Sequence, residues 1–423
     1  WDLPIYSLLV LAAFAMRAYT SSGRLDAKLV RKLLLFALIL VGLSITFYLP
    51  FYLGLKIRTH GLGLVPMRTR FHQYLVMFGL FITIIVGFLA VALRASVQAA
   101  HPKAWREAYR STLISLGLWG VACLLVPWAL VRVLGLVGLV LLQPISGGYP
   151  TTASFLLVLM LVAAAILGQR LRTMAGRPTE RISQRGMSTC FACLLVLAGL
   201  ALTCGVEFFY IVDVFRSRMN TVFKLYFQAW TFLAIASSYG LYYVFSRWRI
   251  SPHRPRIWGK LGRGAWLWLV WALFGGSLIY PLAAVYAKAD GFRGIPTLDG
   301  THYMEELYPD DHGAIAWVRA NTQGDEVLVE AVGPDYSEYA RVSTQTGLAT
   351  LLGWVGHEAQ WREGFAEGSP RQEAIEAIYT SGDPPRVKAL LEKYGADYLY
   401  IGALERAKYG ISQEDEAIYR DFL

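Results

Sequence analysis

The segment Glu207–Trp230 reads EFFYIVDVFRSRMNTVFKLYFQAW. It holds the carboxylates Glu207 and Asp213, the cations Arg216, Arg218 and Lys224, and the amides Asn220 and Gln228, interleaved with aromatic residues. Carboxylates beside guanidinium groups are equipment for group transfer. One acid serves as a base or as ligand to a divalent cation such as Mg or Mn, and the arginines hold a phosphate and stabilise its developing charge. The segment joins two apolar runs, Ser188–Val206 and Thr221–Phe245, each long enough to cross a bilayer. Ionisable groups at the edge of a span are costly unless paired or hydrated, which makes them functional candidates. A structural alternative stays open: an interfacial turn, with aromatics at headgroup depth and arginines snorkelling to water.

The elements that must position these groups follow from composition. The 423 residues are 55% hydrophobic and only 17% charged, too apolar for a soluble chain of this length. Residues 1–287 carry 28 Lys and Arg against six Asp and Glu, whereas residues 288–423 carry 12 against 24. This predicts a basic transmembrane domain, 1–287, followed by an acidic soluble domain, 288–423. The basic residues lie between apolar runs, which favours membrane lipids and phosphate-bearing substrates over nucleic acid. Eight spans are expected in a multi-pass protein of the cell membrane: Pro4–Tyr19, Leu33–Leu55, Tyr74–Leu93, Thr112–Leu142, Ala153–Leu167, Ser188–Val206, Thr221–Phe245 and Ala265–Tyr286. Asp2, ahead of Pro4, reads as a helix N-cap.

Orientation follows from Lys and Arg in the short loops. Loops 20–32, 94–111, 169–187 and 246–264 hold 19 in total, and loops 56–72, 143–152 and 207–220 hold six. The first set is expected in the cytoplasm, which places the 207–220 loop and the acidic domain outside. Loop 56–72 breaks the bias with Lys56, Arg58, Arg68 and Arg70, beside His60 and His72. Basic residues placed against the rule point to a phosphate or pyrophosphate at the outer surface, with contact to ordinary anionic headgroups as the alternative. The two histidines have no carboxylate close in sequence, so a metal site stays unassigned. Cys123, Cys190, Cys193 and Cys204 all lie in apolar runs and read as packing residues.

In the acidic domain, helical patterns at Asp311–Ala320, Pro370–Tyr379 and Pro385–Tyr394 alternate with strand patterns at Glu326–Val332 and Asp397–Gly402, which predicts a small α/β fold. Val342–Glu363 reads as a glycine-marked loop carrying Trp354, His357, Glu358, Trp361 and Arg362, suited to a sugar or an acceptor. A polar loop folded onto the membrane domain is the alternative. His357-Glu358 lacks the second histidine of a zinc-protease helix.

Four stretches together resemble one family: WDLPIY at 1–6, the 207–230 segment, LDGTHYM at 298–304 and EAVGPDYSEYARVSTQTGLATLLGWVGHEAQWR at 330–362. They are similar to the YYY membrane proteins. That resemblance implies a polytopic α-helical membrane protein related at fold level to the GT-C glycosyltransferases, which use lipid-linked sugars. The family's triple-tyrosine segment and its spans ahead of WDLP are not in this stretch, so the chain is expected to be the C-terminal part of the family's length; Tyr242-Tyr243 is a different feature. The implied function is transfer of a sugar from a polyprenyl-phosphate donor to an extracytoplasmic acceptor. Asp213 or Glu207 would be catalytic. Lys56, Arg58, Arg68, Arg70, Arg216 and Arg218 would hold the lipid phosphate, and Asn220, Lys224 and Gln228 would line the site. Trp354, His357, Glu358, Trp361 and Arg362 would receive the acceptor. The competing expectation is a non-catalytic transporter or lipid-binding protein with the same polar cavity.

Overall fold

The computed structural model describes residues 2–54, 61–98, 151–176, 183–213, 216–250, 257–294, 296–362 and 364–422. Lys56, Arg58, His60, Cys123 and the expected span Thr112–Leu142 lie outside the described residues. The chain divides into two compact units, the first ending at Val285 and the second running from Tyr286 to Leu423.

The first unit is helical: α1 (Asp2–Ser22), α2 (Ala27–Phe47), α3 (Leu49–Gly54), α4 (Phe71–Gln98), α5 (Thr151–Met174), α6 (Gln184–Gly205), α7 (Met219–Ile250) and α8 (Ile257–Lys288). Among the described residues six helices are long and apolar enough to cross a membrane: α1, α2, α4, α5, α6 and α8. The expected span Thr221–Phe245 lies on α7. That helix has 32 residues, but its serines, tyrosines, Lys224 and Gln228 dilute its apolar character and it is not one of the six. Pro4–Tyr19 and Ala153–Leu167 extend into α1 and α5 because flanking serines, threonines and Arg170 continue the helix past the apolar run. The start of α2 is held by Asp26, whose carboxylate accepts the Leu29 amide at 2.8 Å, a cap worth about 1 kcal/mol.

Helices α4, α5, α6 and α7 surround one core that includes Tyr74, Phe78, Phe88, Leu156, Leu200, Phe232 and Tyr243. Gly199 lets α6 and α7 close up, since a Cβ there would stand 2.7 Å from Leu233; small residues permit such approaches between membrane helices. Helices α2 and α8 turn Leu34, Leu38, Trp268, Trp271 and Ile279 outward. Exposed apolar surface on that scale belongs against lipid.

Two three-residue strands, β1 (Leu62–Leu64) and β2 (Phe209–Ile211), pair antiparallel with Leu62 opposite Ile211 and Leu64 opposite Phe209. They tie the segment ahead of α4 to the segment ahead of α7. Gly63 faces Tyr210, whose ring lies where a side chain would be: a Cβ on Gly63 would be 2.6 Å from it.

In the second unit β3 (Val327–Val329) is the centre of a parallel three-stranded sheet, flanked by β4 (Ala349–Thr350) and β5 (Tyr398–Leu399). Around it lie α9 (His302–Leu307), α10 (Pro309–Asn321), α11 (Arg341–Thr346), α12 (Val355–Trp361), α13 (Gly368–Thr380), α14 (Pro384–Tyr394), α15 (Ala403–Tyr409) and α16 (Gln413–Phe422). Tyr379 of α13 is buried and donates to the carbonyls of Val329 at 3.1 Å and Tyr400 at 2.7 Å, bridging β3 and the end of β5. Where a loop was expected, residues 342–362 hold most of α11, then β4 and α12. Gly347 terminates α11 in the left-handed conformation, φ 80°, so it is a helix stop.

Candidate functional site

The β1–β2 pair brings the two basic loops together, and a buried ion pair fastens them. Glu207 is 1% exposed. Its Oε1 meets Arg218 at 3.3 Å and its Oε2 accepts the Thr69 amide at 2.8 Å. Arg218 also donates to the Val206 carbonyl at 3.1 Å and to Thr69 Oγ1 at 3.0 Å. Thr152 of α5 donates to the Thr69 carbonyl at 2.9 Å. Three segments thus converge on Thr69. A buried carboxylate is tolerable only with such a full set of partners.

Next to this clasp are the basic groups with spare capacity. Arg68 lies over the Phe208 ring at 5.5 Å, and its Nε is buried with no hydrogen-bond partner among the described residues. Arg70 and Arg216 are exposed, as is His72. Arg216 holds a left-handed backbone, φ 46°, uncommon for a residue with a side chain. Its amide closes a turn onto the Asp213 carbonyl at 2.9 Å.

Asp213 is half-buried, and Asn220 donates to its Oδ2 at 2.6 Å. Asn220, Lys224 and Gln228 follow one another at four-residue spacing, so they form one stripe of α7, roughly 12 Å long at 1.5 Å per residue. At its far end Gln228, buried, donates to Asp2 Oδ1 at 2.7 Å and accepts from the Tyr6 hydroxyl at 2.7 Å. Asp2 is therefore a partner of α7, where an N-cap was expected: it opens α1, and its carboxylate reaches across to an amide that burial leaves in need of one. A polar stripe bracketed by Asp213 and Asp2 runs along a helix otherwise rich in aromatic residues. Among the described residues no three His, Cys, Asp or Glu side chains gather as metal ligands.

In the second unit, chemistry collects at the carboxyl ends of the parallel strands, the usual place for a ligand crevice. Arg341 is the hub. It meets Asp311 at 2.6 Å and Glu405 at 3.0 Å, and all three side chains are buried. Glu405 accepts the amides of Ala331 and Gly402, both at 2.9 Å. Burial raises the Asp311 carboxyl, but the Arg341 and Tyr400 hydrogen bonds outweigh it and hold the group below its ordinary value. Glu330, fully buried, is raised by desolvation against the hydrogen bonds of Ser343 and Val342. Desolvation likewise lowers the Lys408 ammonium and pushes the Tyr409 hydroxyl up to about 12.

Outside this network stands an aromatic cluster in which Tyr336 is exposed and Trp354 and His357 are half-buried. Tyr336, Trp354 and His357 have ring centroids 5.1–5.7 Å apart, and the Tyr336 hydroxyl meets His357 Nε2 at 2.7 Å. Trp354 is fixed by its indole N–H on the Tyr339 carbonyl at 2.7 Å. Tyr336 is 75% exposed at φ 58°, a strained placement of the kind that marks working positions. Glu358 accepts from the Gly353 amide at 2.8 Å and from Arg362 at 3.0 Å, and Arg362 reaches Glu367 at 3.1 Å. Those two residues therefore brace the turn, and Trp361 ends α12.

Residues 1–233 match the family model described as Uncharacterized membrane protein (DUF2298). The chain belongs to that family. No curated protein and no solved structure is matched. As a DUF2298 protein with six candidate spans it is a multi-pass membrane protein in contact with lipid. The DUF2298 region contains the clasp, Asp213 and the whole polar stripe from Asn220 to Gln228; Trp354 and His357 lie beyond it. Sequence reasoning missed Thr69, Tyr6 and Tyr336. Tyr6 and Tyr336 both sit in stretches that carried the resemblance, WDLPIY and GPDYSEY, but nothing local marks Thr69.

Proposed function

We propose that this DUF2298 protein is a GT-C-like glycosyltransferase that moves a sugar from a polyprenyl-phosphate donor to an extracytoplasmic acceptor. The observation that carries the reading is the polar stripe of α7. It begins at Asp213, on the loop that also supplies Arg216, and ends at Asp2, the exposed first residue of α1. Arginines at a span edge suit a lipid phosphate, and a half-buried carboxylate one turn from Arg216 suits a base. The acceptor hydroxyl attacks the sugar's anomeric carbon, the bond from that carbon to the phosphate oxygen breaks, and polyprenyl phosphate departs. Asp213 takes the hydroxyl proton, while the arginines stabilise charge on the leaving phosphate. Glu207 has both oxygens engaged and acts by holding Arg218. The cluster of Tyr336, Trp354 and His357 offers ring faces for a sugar or acceptor. The clasp loops and the second unit face the extracytoplasmic compartment.

The test is transfer of radiolabel from polyprenyl-phosphate sugars by the full-length protein in liposomes. Asp213→Asn and Arg68→Gln are each expected to cut transfer at least about tenfold, or about 1.4 kcal/mol of transition-state stabilisation, with melting unchanged. Donor binding without turnover in the unaltered protein would favour the transporter or lipid-binding reading.

A further inference from the structure

At the opposite ends of the same helices, away from β1 and β2, lies a second basic pocket of 210 Å3. Arg170 and Thr173 of α5, Arg185 and Gly186 of α6, and Tyr243 and Arg247 of α7 line it. Arg170 donates to the Tyr243 hydroxyl at 2.8 Å, and its Nε is buried with no partner among the described residues. Arg247 packs on the Tyr243 ring at 5.5 Å, and Arg185 donates to the Tyr242 hydroxyl at 3.2 Å. Three guanidinium groups thus face one small space, and among the described residues no carboxylate lines it. The N-terminus of α6 opens there too. Its N-cap, Ser183, makes no side-chain capping bond, so the first-turn amides keep their capacity for an anion.

An apolar cleft of 390 Å3 starts beside this pocket, lined by Met16, Met187, Phe191, Leu195, Ile235 and Tyr239. Met187 follows Gly186 directly, Tyr239 contacts Tyr243 at a ring separation of 6.2 Å, and Met16 packs with Met174 of the pocket wall. A cationic pocket adjoining an apolar cleft, on the end richest in Lys and Arg, has the chemistry of one amphiphile. We propose that this site binds an anionic phospholipid, its phosphate among Arg170, Arg185 and Arg247 and an acyl chain along the cleft. The site is separate from the sugar-transfer reading and does not depend on it.

The test uses the full chain purified in an uncharged detergent and offered phosphatidic acid, phosphatidylcholine or inorganic phosphate, with bound molecules counted by native mass spectrometry. Phosphatidic acid is expected to be retained at least about tenfold over phosphatidylcholine, with the preference falling as salt rises. Arg170→Gln and Arg247→Gln each abolish the preference, and Arg170→Lys, which keeps charge but loses the planar fork, retains part of it. Equal retention of the two lipids overturns the proposal, as does an unchanged preference in both Gln variants. Retention of inorganic phosphate as strong as that of phosphatidic acid assigns the pocket to a free anion and overturns the lipid assignment. If Arg170→Gln does not fold, Arg247→Gln decides, because that side chain packs on the Tyr243 ring and makes no hydrogen bond or ion pair among the described residues.

Discussion

The backbone amide of Thr69 donates to Oε2 of Glu207 at 2.8 Å across 138 residues of sequence. That bond, with Arg218 on the other carboxylate oxygen, makes one layer of two loops that the charge pattern placed on the same side of the membrane. It also changes the meaning of Glu207, which has the residue type of a catalytic acid and the surroundings of a structural one.

Removing one partner of this pair leaves the other buried and unmatched. Arg218→Met is expected to destabilise the first unit by about 3 kcal/mol, the low end for a buried pair because Arg218 remains 20% exposed. Thermal unfolding in detergent measures it. A change below about 0.5 kcal/mol would mean the clasp does not hold the loops.

Gly63→Ala places a methyl group 2.6 Å from the Tyr210 ring. Overpacking of this kind costs about 1–3 kcal/mol, and hydrogen exchange of the Val65 amide, bonded to the Phe208 carbonyl at 3.0 Å, should accelerate. Adding Tyr210→Ser should restore protection, since it removes the ring and leaves the strand backbones in register. Failure of the double variant to recover would contradict the pairing.

In the second unit Arg341→Met strands two buried carboxylates, Asp311 and Glu405, and is expected to cost about 3–5 kcal/mol. Hydrogen exchange at 327–332 is the readout, because Glu405 accepts the Ala331 amide.

The acid response of that unit has two opposed parts. Asp311 sits below its ordinary 3.8, so the stability it contributes is present above that pH and is lost as pH falls through the depressed value. Glu330 sits above its ordinary 4.5, so the folded state binds the extra proton and stability falls as pH rises from 4.5 through the raised value. Asp311→Asn should flatten the acid limb of a stability–pH curve, and Glu330→Gln the decline just above pH 4.5.

How much of this was legible in the sequence depended on range. The apolar runs of α1, α2, α4, α5, α6 and α8 are local signals, readable because a span must be long and apolar. The sequence also marked Asp213, just ahead of α7, and Asn220 and Gln228 on it, whose polar side chains stand out in a segment otherwise aromatic and apolar. The partnership of Leu62 with Ile211 left no trace, because strands of three residues are too short to show alternation. Asp2 read as a cap since its only sequence context is Pro4; its true partner, Gln228, is 226 residues away. The glycines of 342–363 pointed to a loop, yet Gly347 is a helix stop and Gly356 gives Asp335 the room to reach its amide at 3.0 Å.

Sugar transfer outside the cytoplasm requires the clasp loops and the second unit to lie in the same outer compartment. Asp213→Cys and His357→Cys, introduced singly into a chain whose native cysteines are replaced, can be treated with a membrane-impermeant maleimide in intact cells. Labelling of both positions from outside without permeabilisation is predicted. Labelling of the two from opposite sides, or of neither until the membrane is opened, would contradict it.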